Sequence, residues 1–130
     1  MKSFIMGMLA VVVLFAMAAK TGAAQDLMKV APTIGKVVFE NDKVRLIDVW
    51  VKKGEKVAMH SHPDHILYFM SDGKMKTSFP DGTTKEMDGK AGNAVWANAV
   101  THANENIGTT DIHALLIEFK GSETKSEMKK

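Results

Sequence analysis

The apolar and polar residues of this chain alternate in short runs that predict β-strands. No stretch after residue 30 keeps the spacing of an amphipathic helix, and turn signals recur about every ten residues, as they do in all-β folds. The turn at Pro80-Asp81-Gly82 is the strongest of these signals. Roughly eight to ten short strands are expected, with runs at residues 36–39, 43–51, 56–62, 66–70, 74–79, 83–87, 93–97, 101–106 and 111–119.

The second predicted strand indicates how the strands are arranged. Val44 and Leu46 share one of its faces, because side chains alternate along a strand. Arg45, Ile47 and Val49 share the other face. Apolar groups on both faces are expected where one sheet packs against a second. We therefore expect an all-β fold, in the form of a double-sheet jelly roll.

The first 24 residues have the pattern of a secretory signal peptide. Lys2 precedes an apolar run at residues 4–19, and small residues follow it. Cleavage is predicted after Ala24, with Ala18 as the second choice. The alternative is an uncleaved membrane anchor, although the apolar run is shorter than the roughly 20 residues of a spanning helix. We therefore expect a periplasmic or secreted protein without membrane contact after cleavage.

The rest of the chain is expected to form a single domain. Residues 25–35 are predicted to be a leader on or beside the fold, residues 36–120 the β-barrel, and residues 121–130 a charged, flexible tail. Residues 25–130 hold 15 basic and 15 acidic side chains, because two of the 17 basic residues precede them. This balance argues against a nucleic-acid partner. The absence of cysteine excludes disulfides, thiolate ligands and a cysteine nucleophile.

Three of the five histidines have spacings that can place them on one wall of such a fold. His60 and His62 leave the same face of a strand, about 6–7 Å apart along the chain, and His102 follows forty positions later. Neutral imidazole is the commonest protein ligand for transition metals. A lone His-x-His pair is weak evidence, since strands on a wet surface often carry histidine. Here the pair ends a strand between a Gly turn and a Pro turn, which favours a metal centre.

Two groups of residues stand at regular spacings in this part of the chain. The first consists of Gly54, His60-Ser61-His62 and Gly73, and the second of Gly92, Asn98, His102 and Asn106. These groups resemble the first and second signatures of the cupin superfamily. More narrowly, the run at residues 60–65, with Phe79-Pro80-Asp81-Gly82, is similar to small bacterial cupins whose role is largely undefined. The resemblance implies a single-domain, double-stranded β-helix (jelly-roll) barrel.

The resemblance implies a metal site of three histidines without a carboxylate. The glutamate ligand of the family would fall at Ile66, which has no lone pair, and the Pro and Gly of the second signature become Asn98 and Val100. Three histidines can hold zinc with an open position, or iron as in the thiol dioxygenases of the family. The ligands expected for a divalent transition metal (Fe, Mn, Zn or Ni) are His60, His62 and His102.

Two polar residues near these ligands are further candidates. His65 is a candidate fourth ligand, although strict alternation turns it outward, to the rim or the surface, unless a bulge at Pro63-Asp64 reverses its direction. Asn106 lies four residues after His102. Its amide is expected to support a ligand through a hydrogen bond or to stabilise a turn.

The large apolar residues are expected to fill the barrel. Trp50, Phe69 and Trp96 are the aromatic candidates, and Met59, Phe69 and Trp96 are predicted to line the pocket. His113, amid apolar neighbours, is predicted to be a hydrogen-bonded structural histidine. No carboxylate pair, Gly-rich phosphate loop or Ser-His-Asp set stands out, so no catalytic residue is assigned.

Three classes of function follow from these expectations. The first is a metal-dependent enzyme, dioxygenase-like or isomerase-like, that acts on a small molecule. The second is a non-catalytic protein that binds a metal or a small ligand. The third is a degenerate cupin that serves as an interaction module. A homodimer is a further expectation, since cupins of this size often pair.

Overall fold

The computed structural model describes residues 25–121, so the predicted signal peptide and residues 122–130 of the tail lie outside the described residues. The described part contains a single turn of helix and nine strands. They are α1 (Leu27–Val30), β1 (Gly35–Glu40), β2 (Val44–Val51), β3 (Lys56–His62), β4 (His65–Phe69), β5 (Gly73–Ser78), β6 (Thr84–Gly89), β7 (Ala94–Ala97), β8 (Val100–Asn106) and β9 (Ile112–Phe119).

The nine strands form two antiparallel sheets that pack face to face. One sheet has the order β1-β2-β9-β4-β7 and the other the order β3-β8-β5-β6. The chain passes from one sheet to the other at every connection between strands except β1–β2 and β5–β6. This winding produces a double-sheet jelly roll, so the predicted fold class is confirmed.

The strand predictions agree closely with the structure. Each predicted run coincides with one observed strand, and the ends differ by no more than two residues. Agreement is this close because Gly, Pro, Asn and Asp mark nearly every turn. Within residues 25–121, no helix is long and apolar enough to cross a bilayer.

The core lies between the two sheets and is built from alternate residues of the strands. β2 contributes Ile47, Val49 and Val51, and β9 contributes Ile112 and Leu116, all of them buried. The opposite residues of these strands point away from the core, as the period of two requires. The core is therefore continuous along the five-stranded sheet.

The leader packs against this core and also against β3. Leu27 and Ile34 are buried in the core cluster, while the Asp26 side chain accepts a 2.8 Å hydrogen bond from the Met28 amide and caps α1. The Ser61 amide donates a 2.8 Å hydrogen bond to the carbonyl of residue 25. The leader therefore contacts β3 at the residue between His60 and His62.

The expectation that Trp50 fills the barrel is wrong. Its neighbours Val49 and Val51 face the core, so alternation turns Trp50 to the outer face, where it is 50% exposed. There its ring stacks on His113, with 3.9 Å between the ring centroids. His113 also pairs with Asp48, at 2.6 Å between Nε2 and Oδ1, and is thus a hydrogen-bonded residue of the sheet surface.

A tight contact between β6 and β4 generates a test of this packing. A methyl group on Gly89 would lie no more than 2.8 Å from each of three atoms of the buried Phe69 ring, closer than van der Waals contact allows. We expect Gly89→Ala to lower the free energy of unfolding by about 1–3 kcal/mol, the usual cost of an overpacked core, as measured by urea denaturation. The loss should shrink in a Phe69→Leu background, which makes room for the methyl group. An unchanged stability of Gly89→Ala would contradict the described contact.

Candidate metal centre

Pairing of β3 with β8 brings the three predicted ligands together. His60 lies opposite His102 in the register, and His62 follows two residues later on the same inner face. Their ring centroids are 4.7 Å (60–62), 4.9 Å (60–102) and 5.2 Å (62–102) apart. One candidate ligand nitrogen from each ring lies within 4.8 Å of the other two. Small ring rotations bring such nitrogens to a common ion at about 2.1 Å.

Hydrogen bonds fix which nitrogen of His60 and His62 carries the proton. The His60 Nδ1 lies 2.7 Å from the carbonyl oxygen of Ala58, and the His62 Nδ1 lies 2.9 Å from Oε2 of Glu118. A carbonyl or an ionised carboxylate only accepts, so both Nδ1 atoms donate. In the neutral rings, Nε2 therefore keeps its lone pair. A ligating histidine needs this tautomer, with the second nitrogen bonded to an acceptor.

His102 has a nitrogen that no group of the described chain satisfies. Its Nε2 is buried without a hydrogen-bond partner among residues 25–121, and a buried polar atom left unpaired costs about 1–3 kcal/mol. Burial, and then repulsion from His62 and His60 in their charged forms, lowers the pKa of His102 to about 3. The ring is thus neutral near pH 7, and a metal ion would supply the missing partner. The three rings therefore fit a transition metal.

The outward orientation expected for His65 is wrong. His65 is buried at 5% exposure, and its ring centroid lies 4.8 Å from that of His62. Strict alternation fails because the chain changes sheets between β3 and β4, within two residues. His65 donates from Nδ1 to the Pro63 carbonyl at 2.8 Å, and burial lowers its pKa, as it does for His60. It borders the cluster but lies outside the group of three mutually close nitrogens.

Glu118 is a functional candidate that the sequence reasoning missed. It lies on β9, opposite both Arg45 of β2 and His65 of β4 in the sheet register. The residue is 1% exposed and accepts hydrogen bonds from His62 and from Arg45, whose Nε lies 2.8 Å from Oε1. It therefore holds the His62 ring without being one of the three clustered ligands.

Arg45 keeps this buried carboxylate ionised. Burial alone would raise the pKa of Glu118, but hydrogen bonds from His62 and Arg45 outweigh burial and lower it. Arg45 in turn pairs with Asp26 of the leader, at 2.7 Å between Nη1 and Oδ2. The result is a chain of contacts from the leader through β2 and β9 to a histidine of the cluster.

A sequence signal for this network was present. Ile112, Ala114, Leu116 and Glu118 are alternate residues of β9, and the first three are apolar and buried. A charged residue on an otherwise apolar face needs a buried partner. Arg45 occupies the corresponding position on the inner face of β2. Two opposite charges at the ends of two inner faces predict an internal ion pair.

Asn106 stabilises a turn and does not touch the histidines. Its side-chain amide donates at 2.9 Å to the carbonyls of Val51 and Thr110, and its Oδ1 accepts from the Gly108 amide at 3.0 Å. All three partners belong to the chain around β2 and the β8–β9 turn. The expectation that Asn106 supports a metal ligand is therefore wrong, and the alternative of a turn-stabilising amide is correct.

The histidines open onto a cavity of about 420 Å³ between the two sheets. Most of its wall is apolar, with Leu27 and Ile34 of the leader among the lining residues. Besides the histidines, the polar side chains of the described wall are Thr77, Lys85, Asn98 and Asn104, and none of these is a carboxylate.

The predicted pocket-lining residues fall in three different places. Met59 lies outside the cavity wall and is 42% exposed. It precedes the inward His60, so alternation along β3 leaves it on the outer side. Phe69 is buried in the packing against Gly89 and does not line the cavity. Both predictions are wrong. Trp96 does contribute to the wall, although it is 56% exposed.

Comparison with solved structures identifies the architecture. A cupin domain from Bordetella pertussis Tohama I is 22% identical, with a TM-score of 0.63, over 68% of this chain and 93% of that one. An uncharacterised protein with a double-stranded β-helix domain from Klebsiella pneumoniae is 22% identical, with a TM-score of 0.56, over 68% and 76%. An RmlC-like cupin family protein from Methanocaldococcus jannaschii is 15% identical, with a TM-score of 0.55, over 72% and 84%.

The chain therefore has the cupin double-stranded β-helix fold, as the sequence motifs predicted. No protein-family model matches the sequence. No curated protein matches it either. At these identities the likeness to solved structures describes the fold, and the function has to be argued from the site.

The position of Glu118 leads to a prediction about metal affinity. Glu118→Gln removes the charge that His62 and Arg45 share, so we expect metal affinity to fall about 10- to 100-fold, as for other partners of ligating histidines. Isothermal titration with Zn²⁺ measures this effect. The matched control is Asp26→Asn, which also removes a carboxylate partner of Arg45 but leaves His62 untouched. Equal Zn²⁺ affinities of the Glu118→Gln and Asp26→Asn variants would contradict the role of Glu118 in holding His62.

Proposed function

We propose that the chain binds one divalent transition-metal ion through His60, His62 and His102, and uses it to process a small organic anion in the cavity. The observation that carries the proposal is the buried, unpartnered Nε2 of His102, in a ring whose centroid lies 4.9 Å from that of His60 and 5.2 Å from that of His62. An all-imidazole donor set suits zinc, iron or nickel better than manganese, which prefers oxygen ligands.

The charges of the cavity favour an anionic ligand. Three neutral imidazoles leave the full double charge of a divalent ion uncompensated, and no carboxylate lines the described cavity wall. Glu118 already shares its charge with Arg45. In apolar surroundings an unbalanced charge is costly, so a ligand that carries a negative group is favoured over a neutral one.

A polar row next to the histidines supplies a second contact for such a ligand. Lys85 lies opposite Thr77, and Thr77 lies opposite Asn104. The Asn104 amide donates to the Thr77 hydroxyl at 3.0 Å. Asn104 follows His102 by two residues on the same face of β8, a separation of about 7 Å. A small acid whose carboxylate lies near the metal centre thus meets a second positive charge, Lys85, on the same cavity wall.

Among reaction classes, the site favours oxygen-dependent oxidation over isomerisation. Within the described cavity wall no carboxylate is available as a general base, and the one histidine outside the cluster of three, His65, offers only its Nε2, because its Nδ1 donates to the Pro63 carbonyl. A bound ion would supply Lewis acidity or oxygen activation. The protein would hold the ligand rings, exclude water with its apolar walls and orient the anion. The alternative is a non-catalytic binding protein. Such a protein would bind the anion but would neither convert it nor consume oxygen, so an oxygen electrode distinguishes the two functions.

We also propose that the protein is exported, on the basis of its first 24 residues. The charged start, apolar run and small residues support this proposal. Sequencing the N-terminus of protein recovered outside the cytoplasm tests it. A first residue of Gln25 would support cleavage after Ala24, whereas an intact Met1 would contradict cleavage.

Metal content is the first test of the proposed function. We expect about one ion per chain in the purified protein, and a drop of about 100-fold or more in affinity for His62→Ala and His102→Ala, because each loses a direct bond. Elemental analysis after dialysis against a limiting concentration of metal measures this. His113→Ala, which changes a histidine on the outer face, is the matched control and should keep its ion. Equal metal content in all variants would refute the metal centre.

The charge of the ligand can be tested with two isosteric probes. We expect the zinc-loaded protein to bind benzoate and to bind neutral benzamide more weakly, with both affinities measured by calorimetry. Lys85→Met keeps the length of the side chain but removes its charge, and should weaken benzoate binding about 3- to 10-fold without changing benzamide binding. Lys74→Met, on the opposite face of the same sheet, serves as the control. Unchanged benzoate binding in Lys85→Met would contradict the assigned contact.

A further inference from the structure

The cavity has a polar end and an apolar end along the four-stranded sheet. Three successive rows of cross-strand neighbours line it on this side. The first row holds His60 opposite His102, the second holds Asn104, Thr77 and Lys85, and the third holds Met75 opposite Met87. Successive rows are two residues apart along their strands, a separation of roughly 7 Å. The methionine row therefore lies roughly 14 Å from the histidine row.

The polar side chains of the middle row are already engaged by the protein or by water. The Asn104 amide donates a 3.0 Å hydrogen bond to the Thr77 hydroxyl. Lys85 lies on the edge strand β6 and is exposed, so its ammonium group can remain solvated. A ligand that extends past this row therefore needs no polar atom at that depth.

The five-stranded sheet closes the cavity with an apolar row of its own. The ring centroid of His65 lies 4.8 Å from that of His62, so the row of His65 borders the metal centre. The next row on this sheet that lines the cavity consists of Leu116, Leu67 and Val95. Both walls thus change from imidazole to apolar side chains with distance from the histidines.

The cavity is larger than a very small acid requires. Its volume of about 420 Å³ corresponds to roughly fourteen groups of the size of a water molecule, each of which occupies about 30 Å³. Acetate would leave most of this space unfilled, and an unfilled apolar wall forgoes its dispersion contacts. A ligand that fills the cavity must therefore carry an apolar body behind its anionic group.

We propose that the ligand is a medium-chain aliphatic carboxylate of roughly eight to ten carbons, with its carboxylate at the metal centre and its chain directed toward Met75 and Met87. This inference rests on the proposed function, because the bound ion supplies the charge that holds the carboxylate. An extended chain advances roughly 1.2 Å per bond, as the polypeptide backbone does, so such a ligand is roughly 10–12 Å long. This length matches the separation of the histidine and methionine rows.

The wall favours an aliphatic chain over a ring system. Methionine side chains are flexible and adapt to a chain of variable shape, whereas rings are best held by stacked or edge-on aromatic neighbours. Besides the histidines, the aromatic residues of the described wall are Phe79 and Trp96, and Trp96 is 56% exposed. Neither belongs to the apolar rows at the far end of the cavity.

A homologous series of carboxylates tests the inference. We expect calorimetry on the zinc-loaded protein to show an affinity that rises about three- to fourfold per added methylene from butanoate to octanoate, as burial of each methylene requires. The gain should cease beyond decanoate, because a longer chain would project from the cavity. An affinity independent of chain length, or a gain that continues undiminished to tetradecanoate, would overturn the inference.

Two variants test where the chain lies. Met87→Glu places a charge in the far row and should weaken octanoate binding at least about tenfold without affecting the shorter butanoate. Thr84→Glu, on the outer face of the same strand, is the matched control. Val95→Phe keeps the wall apolar but fills part of the cavity, so the optimal chain should shorten by about two carbons. Octanoate binding that is unchanged in both Met87→Glu and Val95→Phe, with circular dichroism confirming the fold, would overturn the inference.

Zinc-free protein separates this inference from the proposed function. We expect the affinity for every carboxylate to fall on removal of zinc, while the gain per methylene persists. If zinc removal leaves all affinities unchanged, the carboxylate does not contact the metal centre and the proposed function is wrong, although the apolar chain site stands. If butanoate binding requires zinc but a longer chain brings no gain, the proposed function stands and the medium-chain ligand is wrong.

Discussion

Four imidazole rings are buried close together, and a buried polar nitrogen needs a hydrogen-bond partner or a ligand. The arrangement of the site follows from this need. For three rings, Nδ1 donates to a fixed acceptor, either a nearby backbone carbonyl or Glu118. Because that bond fixes the tautomer, His60 and His62 each keep a lone pair on Nε2, and these two residues form the group of mutually close nitrogens with His102. His102 has its Nε2 buried without any partner in the described chain. One nitrogen of the cluster therefore lacks a partner within the described residues, and this missing partner supports a metal-binding role.

The same requirement explains why charged groups lie inside an apolar jelly roll. Glu118 orients His62, but a buried carboxylate needs positive charge beside it, and Arg45 provides it. Arg45 itself draws Asp26 onto the fold. Ion pairs and hydrogen bonds thus connect the leader, the second strand and the last strand to His62 of the third strand, while Leu27 and Ile34 connect the leader to the core by apolar contact.

The strands and three histidines could be predicted from the sequence because their signals are local. Turn residues mark each strand end, and His60 and His62 share a face by simple alternation. The orientation of His65 could not be predicted in this way, because the chain changes sheets between residues 62 and 65. Met59 adjoins the inward His60, so the same alternation already places it on the outer face, and the prediction that it lines the pocket overlooked this. The role of Glu118 required knowledge of which strands pair, since it meets its partners only through the neighbours of β9.

The contacts Asp26–Arg45–Glu118–His62 join the leader to the last strand and would decide when the proposed metal site is completed during folding. The acceptor that orients His62 lies near the end of the last strand, so a partly synthesised chain contains two candidate ligands without the group that holds one of them in place. The proposed site would therefore reach its full affinity only after β9 has docked. The compartment in which folding is completed, with its own supply of ions, would then determine which metal the site binds.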